Sequence, residues 1–350
     1  MRRFQIWLGA LALGLLCAGG TAEAKDSFRI AWSIYVGWMP WGWAGDHGIV
    51  KKWADKYGIE IEVVQINDYV ESINQYTAGG FDGCVMTNMD ALTIPAVGGV
   101  DSTALIVGDF SNGNDGIVSK TAEAVADLKG ETINLVELSV SHYLLARALE
   151  KAGLAERDVT VVNTSDADIV SVFTGTDDVR NVVTWNPLLS EVAAFPGAAR
   201  LFDSAAIPGE IIDLMVVNTA TLQENPAFGK ALVGAWYETM AIMRGDDEAG
   251  IAARTAMAEA SGTDLAGFDA QLASTRMFWE PGEAVAFTTS PDLIATMDHV
   301  RTFSNGKGLM GGDMDAVGIG FPGGRSLGNA HSIKLRFDES FMRLAAEGAL

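Results

Sequence analysis

Short apolar runs alternate with amphipathic helical patterns along most of this 350-residue chain. β-type runs are predicted at residues 28–32, 59–65, 83–86, 104–107, 132–136, 159–162, 181–184 and 211–217. Helices are predicted at residues 43–57, 69–78, 121–128, 142–152 and 227–244. Such alternation predicts an α/β fold in which helices cover both faces of mostly parallel sheets.

Two turn-rich segments, residues 108–116 and 204–210, each adjoin an apolar run and indicate crossings between two lobes. We therefore expect a two-lobed hinge protein in which each lobe is a mixed, mostly parallel sheet flanked by helices. Lobe 1 is expected at residues 25–111 plus 211–350, and lobe 2 at 112–210. Residues 304–330, rich in glycine and polar residues, are expected to form loops.

The first 24 residues have the pattern of a secretory signal peptide. Arg2 and Arg3 precede an apolar run over residues 6–18, and small residues then suit a cleavage before Lys25. Lipid attachment at Cys17 is the less favoured alternative, because Leu16 rather than a small residue precedes it. We expect a periplasmic protein in which Cys84 is a buried apolar side chain.

The charge balance excludes one class of partner. The chain has 45 Asp and Glu against 24 Lys and Arg, so nucleic acid is not an expected partner. Residues 57–119 hold nine acidic residues and no Lys or Arg. A ligand wall that attracts cations and a generally acidic, solvated surface both account for this segment.

Ligands of open α/β sheets bind beyond the carboxyl ends of the strands, so the polar and aromatic residues there are the candidate site. The candidates are Trp41, Asn88, Asp90, Asp109, Glu137, Ser139, Trp185 and Asp213. Carboxylates and amides accept hydrogen bonds there, and the two indoles are expected to stack on a flat ligand. Ser139 equally suits a helix N-cap, and Asp213 could instead pair with an amide of the crossing segment.

The sequence offers no motif for catalysis or for a cofactor. The four histidines lack metal-ligand spacing, and no phosphate loop, nucleophile elbow or dinucleotide-binding motif follows a strand. We expect no cofactor, no metal and no enzymatic activity.

Several motifs together resemble the periplasmic solute-binding proteins of nitrate/taurine-type ABC importers. They are Tyr35-x-x-Trp38-x-Pro40, Lys51-Lys52, the run 78–83, Asp90-Ala91-Leu92, the run 127–130, Leu149-x-Lys151-x-Gly153-Leu154 with Asp158-Val159, and Trp185-x-Pro187. Residues 81–118 and 135–150 are similar to the branch encoded beside urea-carboxylase-type genes, which is linked to guanidine.

The resemblance implies a Venus-flytrap fold, capture of a small molecule between the lobes, and a cognate permease and ATPase as partners. We expect a monomer that binds a small cationic or amide-type nitrogen compound, with guanidine favoured by the acidic and aromatic candidate site. Urea or another small nitrogen or sulfonate solute remains an alternative. A thiamine-pyrimidine synthase-like enzyme and a sensory partner of a membrane receptor are the others.

Overall fold

The computed structural model describes residues 25–350, so the expected signal peptide lies outside the described residues. The strands are β1 Ser27–Trp32, β2 Glu60–Gln65, β3 Gly83–Thr87, β4 Ser102–Ser111, β5 Asp115–Ser119, β6 Thr132–Leu135, β7 Thr160–Asn163, β8 Asn181–Trp185, β9 Ala199–Asp203, β10 Ile212–Asn218, β11 Thr275–Met277, β12 Gly318–Phe321, β13 Arg325–Leu327 and β14 Ile333–Phe337.

The α-helices surround these strands. They are α1 Met39–Asp46, α2 Ile49–Tyr57, α3 Tyr69–Thr77, α4 Asn88–Ala91, α5 Val140–Lys151, α6 Asp166–Gly175, α7 Leu188–Ala193, α8 Thr219–Glu224, α9 Pro226–Met243, α10 Glu248–Ala260, α11 Leu265–Ala273, α12 Pro281–Thr289, α13 Pro291–Gly306 and α14 Ser340–Ala346. Short 3₁₀ turns and one π turn at Leu92–Ala96 link some of them.

Nine strands form the first sheet, in the order β13-β12-β14-β4-β10-β3-β1-β2, with β11 also paired to β4. Strand β10 returns from the second sheet and lies antiparallel between β3 and β4. The apolar side chains of β4 and β10 are almost completely buried, as expected for central strands covered on both faces. We call this sheet with its helices the first lobe.

The second lobe is the five-stranded sheet β7-β6-β8-β5-β9 with its helices. The chain passes between the sheets at residues 112–114 and 204–211. Side chains join the two crossings, because the hydroxyls of Ser111 and Ser204 lie 2.6 Å apart. Asn114 accepts from Asn186 at 2.5 Å and donates to Thr275 at 2.7 Å, which ties both lobes to the first crossing.

The α/β class with two mixed, helix-flanked sheets is confirmed, although half rather than most of the strand pairings are parallel in each sheet. The helix expected over residues 43–57 is two helices, separated at Gly48 with φ of 73°. The loop expected at 304–330 contains β12 and β13, which extend the first sheet. Within residues 25–350, no helix is long and apolar enough to cross a membrane.

Candidate functional site

A small cavity lies between the lobes, where several strands end. It has about 10 Å³ open to the centre of a water molecule, which is room for about one water in the observed conformation. Its lining residues are Tyr35, Trp38, Tyr69, Thr87, Asp115, Val140, Trp185, Ile211 and Asp213. The first lobe contributes most of this wall, and Asp115, Val140 and Trp185 come from the second lobe.

A second cavity of the same size lies behind the first one, inside the first lobe. Its lining residues are Trp38, Trp41, Val85, Ile106, Gly108, Asp109, Asp213, Leu214, Met215 and Trp236. Trp38 and Asp213 line both cavities. The two cavities are therefore neighbouring chambers of one candidate site, which we call the interlobe site.

Two carboxylates face each other across neighbouring strands of the interlobe site. Asp109 of β4 and Asp213 of β10 are directly paired in register and are 0% and 3% exposed. Within residues 25–350, neither oxygen of Asp109 has a hydrogen-bond partner, and Oδ2 of Asp213 has none. Buried acceptors without partners are costly, so this pair is poised for a donor that comes from outside the chain.

A third carboxylate reaches the site from the second lobe. Asp115 begins β5, is 3% exposed, and is the cross-strand neighbour of Trp185. The described residues that line the two cavities include no Lys, Arg or His. The site thus combines three buried carboxyl groups with no positive side chain on its walls.

Burial raises the pKa of each of these carboxyl groups. It raises the pKa of Asp109 and of Asp115 to about 7. Burial and then the negative charge of Asp109 raise the pKa of Asp213 well above its ordinary value. Burial followed by the charge of Asp213 also raises the pKa of Tyr35. Each shift disfavours negative charge, and a bound cation would oppose all of them.

Aromatic rings line the site in a continuous series. Trp38 lies between Tyr35 and Tyr69, with ring centroids 5.0 and 5.4 Å apart. Tyr69 in turn meets the edge of Trp185 across the lobes at 5.8 Å. In the inner chamber Trp41 stacks on Trp236 at 5.2 Å. These faces offer cation–π contacts to a bound cation.

The loop after β1 brings these aromatics against the carboxylates because it contains Gly37. A Cβ at this position would lie 2.6 Å from Oδ2 of Asp109 and 2.8 Å from Cε1 of Tyr35. Only glycine allows so close an approach of the backbone.

Four of the candidate residues line the interlobe site, namely Trp41, Asp109, Trp185 and Asp213. The structure does not bring the other four to the cavity walls. Asn88 instead bridges the crossing segment, donating to the carbonyl of Glu210 at 3.1 Å and accepting from the amide of Ile212 at 3.1 Å.

Asp90 and Ser139 serve the local structure. Asp90 accepts from Tyr69 Oη at 2.6 Å and from Thr87 Oγ1 at 2.8 Å, which fixes the Tyr69 ring. Ser139 caps α5, its hydroxyl accepting from the amide of Ser141 at 3.2 Å. Glu137 is exposed on the second lobe, on the turn before α5.

The sequence-based candidates omit Asp115, Tyr35, Trp38 and Tyr69. Tyr35 and Trp38 share the loop of Trp41, so their spacing after β1 was the available signal. Asp115 stands just after a crossing, a position that the strand-end rule overlooks because β5 begins rather than ends there. Tyr69 carries no such signal, since its position depends on the turn that leads into α3.

The arrangement can enclose a small ligand between lobes, and the described residues contain no cluster of three or more side chains suited to a metal ion. Cys84, the free cysteine among them, is buried, and burial raises the pKa of its thiol to about 12. Such a thiol is inert as a nucleophile.

Two mixed sheets joined by two crossings around a ligand-sized cavity define the periplasmic-binding-protein fold. The alkanesulfonate-binding protein SsuA from Xanthomonas axonopodis pv. citri, solved with MOPS, superposes with a TM-score of 0.66 at 18% identity, covering 83% of this chain and 96% of that one. The Escherichia coli aliphatic sulphonate binding protein SsuA gives 0.64 at 19% identity, covering 81% and 93%.

The same fold also occurs in the desulfurization enzyme DszB, with a TM-score of 0.56 at 15% identity over 81% of this chain and 93% of that one. A search of curated proteins finds no match. The NMT1/THI5-like family model matches residues 48–249. The chain belongs to this family.

Proposed function

We propose that this protein is the periplasmic solute-binding component of an ABC importer and that its ligand is guanidinium. The buried, unpartnered pair of Asp109 and Asp213 carries this proposal. A cation is the natural partner for two such carboxylates, because charge-assisted hydrogen bonds are about twice as strong as neutral ones.

Guanidinium suits the remaining features of the interlobe site. The ion is flat, donates hydrogen bonds around its whole edge, and keeps its charge at physiological pH. Carboxylates can therefore lie in its plane while indole or phenol faces cover it. The small size of both cavities supports an ion of a few atoms.

A sulfonate ligand is the reading suggested by the names of the two SsuA proteins. It is disfavoured here, since a sulfonate would meet three carboxyl groups and no Lys or Arg on the described cavity walls. The non-enzymatic role is supported in the same way, because the inert thiol of Cys84 lies outside both cavities.

Urea is a second candidate, and one observation favours it. The indole Nε1 atoms of Trp38 and Trp236 are buried without acceptors among residues 25–350. A urea carbonyl could accept from such donors, whereas guanidinium has no acceptor. Urea would nevertheless leave the carboxylate pair without a positive charge.

Calorimetric titration of ligand-stripped protein with guanidinium, urea and taurine tests the proposal. We expect tight binding of guanidinium, weaker binding of urea and no heat with taurine. Asp109→Asn should weaken guanidinium binding by at least about 2 kcal/mol, roughly 30-fold. The matched control is Asp177→Asn, which removes an exposed carboxylate of the second lobe. Binding of taurine without guanidinium would refute the proposal.

A further inference from the structure

Resting on the proposed function, we infer that the empty interlobe site holds a proton between Asp109 and Asp213, and that guanidinium binding releases this proton to solvent. One carboxyl O–H bond breaks, the buffer takes up the proton, and the carboxylate left behind accepts hydrogen bonds from the cation. The cavity thus exchanges one positive charge for another.

The geometry of the pair requires a shared proton when no ligand is present. The two carboxyl groups lie on directly paired positions of neighbouring strands and are almost completely buried. Two ionised carboxylates this close repel each other, and burial removes the water that would screen them. The usual solution in proteins is that such a pair shares one proton.

The surroundings supply no alternative positive charge. The titratable groups that face the pair are Tyr35 from the loop after β1 and Asp115 from β5, and Asp90 lies beyond Asp115. Each of these groups is neutral or negative. The other elements packed against the pair contribute uncharged side chains, namely Trp41 of α1, Met277 of β11 and Trp236 of α9.

The pKa values of the surrounding carboxyl groups agree with this geometry. Burial raises the pKa of Asp109 to about 7 and that of Asp213 well above the ordinary range. The pair therefore still holds a proton at neutral pH. Guanidinium keeps its own proton there, so its charge makes the shared proton unnecessary.

Titration calorimetry in two buffers with different ionisation enthalpies, phosphate and Tris, measures the released proton directly. At neutral pH we expect about one proton per bound guanidinium, seen as a difference in apparent enthalpy between the buffers. The Kd should fall by up to about tenfold per pH unit while the proton is released. Urea is neutral, so any heat from urea should show no buffer dependence.

Variants assign the proton to the pair. Asp213→Asn should abolish the buffer dependence, whereas the control Asp177→Asn should keep it. If Asp213→Asn binds too weakly for titration, the wild-type buffer series and pH series decide the question. Guanidinium binding with equal heats in both buffers and a Kd independent of pH would overturn this inference and leave the proposed function intact. A protein that does not bind guanidinium would instead overturn the proposed function.

Discussion

The buried carboxyl groups of the interlobe site are expected to cost the empty protein stability. Replacing Asp213 with Asn removes the repulsion with Asp109 while keeping the side-chain shape. Exchange of buried charged groups for neutral ones often stabilises by about 1–4 kcal/mol, so Asp213→Asn should raise the melting temperature. The increase should vanish when guanidinium is present, because only the wild-type site gains from the cation.

Thermal unfolding followed by circular dichroism is the suitable measurement, because both common chemical denaturants are candidate ligands. Asp177→Asn serves again as the control and should leave the melting temperature unchanged. An Asp213→Asn protein that melts below the wild type in the empty state would show that the carboxylate stabilises the fold.

The pH dependence of stability follows from the same groups. The pKa values of Asp109 and Asp115 are about 7 in the folded protein and about 4 in an unfolded chain. The folded state therefore binds more protons between about pH 4 and 7, and its stability falls as pH rises through that window. We expect the melting temperature of the empty protein to be lower at pH 8 than at pH 6.5.

His142 acts in the opposite direction at lower pH. Burial and then Lys307 lower its pKa to about 4, so this group adds stability as pH rises between about 4 and 6.5. Comparison of wild type with Asp109→Asn cancels its contribution, and the variant should show the smaller loss of stability towards pH 8. Equal curves for the two proteins would contradict the assignment.

The strand-end rule locates Asp109, Asp213 and Trp185 because it uses only the direction of the strands. It cannot tell whether a polar side chain will find a partner. Asp90 satisfies the same rule, yet Tyr69 and Thr87 occupy its acceptor atoms. Hydrogen bonds between distant segments thus separate a ligand-facing carboxylate from a structural one, and sequence patterns do not record them.

At the scale of elements, periodicity predicts the strands of the early chain well because each is a compact apolar run. It fails at β12 and β13, whose glycine-rich sequence reads as loop. These strands form at the edge of the first sheet, where pairing with neighbours replaces intrinsic preference. Glu137 was misplaced for a related reason, since β6 ends at Leu135 and the chain then turns through Leu138 with φ of 64°.

The loop between β1 and α1 is expected to be intolerant of a side chain at Gly37. In Gly37→Ala, the new methyl group would displace Asp109 or Tyr35, the two groups that it approaches within 3 Å. We expect guanidinium affinity to fall at least tenfold, measured by calorimetry. Gly175→Ala is the control, since a Cβ there meets no atom within 4 Å. Unchanged affinity in Gly37→Ala would place the ligand away from Asp109.

Helix α5 is tied to the second crossing through Glu210. This carboxylate accepts from Tyr143 Oη at 2.5 Å and from Arg147 Nε at 2.8 Å. Hydrogen bonds to charged groups contribute about 1.5–3 kcal/mol when partly buried. Glu210→Gln should therefore lower the melting temperature, whereas the exposed control Glu224→Gln should not. Equal melting temperatures for both variants would show that this contact is replaced by water.

At the scale of the whole molecule, side chains join the lobes on both sides of the ligand cavity. On one side the amide of Tyr69 donates to Asp166 at 3.4 Å, beside the contact of Tyr69 with Trp185. On the other side Lys307 of the first lobe forms an ion pair with Glu156 of the second. The cavity between these contacts is too small and too covered for a ligand to enter, so the lobes must separate for exchange.

The ion pair of Lys307 with Glu156 is expected to slow ligand release, because it forms only when the lobes are together. Lys307→Met keeps much of the side-chain length and removes the charge. We expect guanidinium to dissociate roughly fivefold faster, the factor that corresponds to about 1 kcal/mol. The association rate should change little, since the ligand enters before the lobes close.

Stopped-flow measurement of tryptophan fluorescence gives both rates, because Trp185 lies on the closing surface. Lys151→Met is the matched control, since Lys151 is exposed at the end of α5. Small-angle scattering should show that guanidinium makes the wild-type protein more compact. If Lys307→Met leaves the dissociation rate unchanged while compaction persists, closure depends on the ligand and on the contacts of Tyr69 rather than on this ion pair.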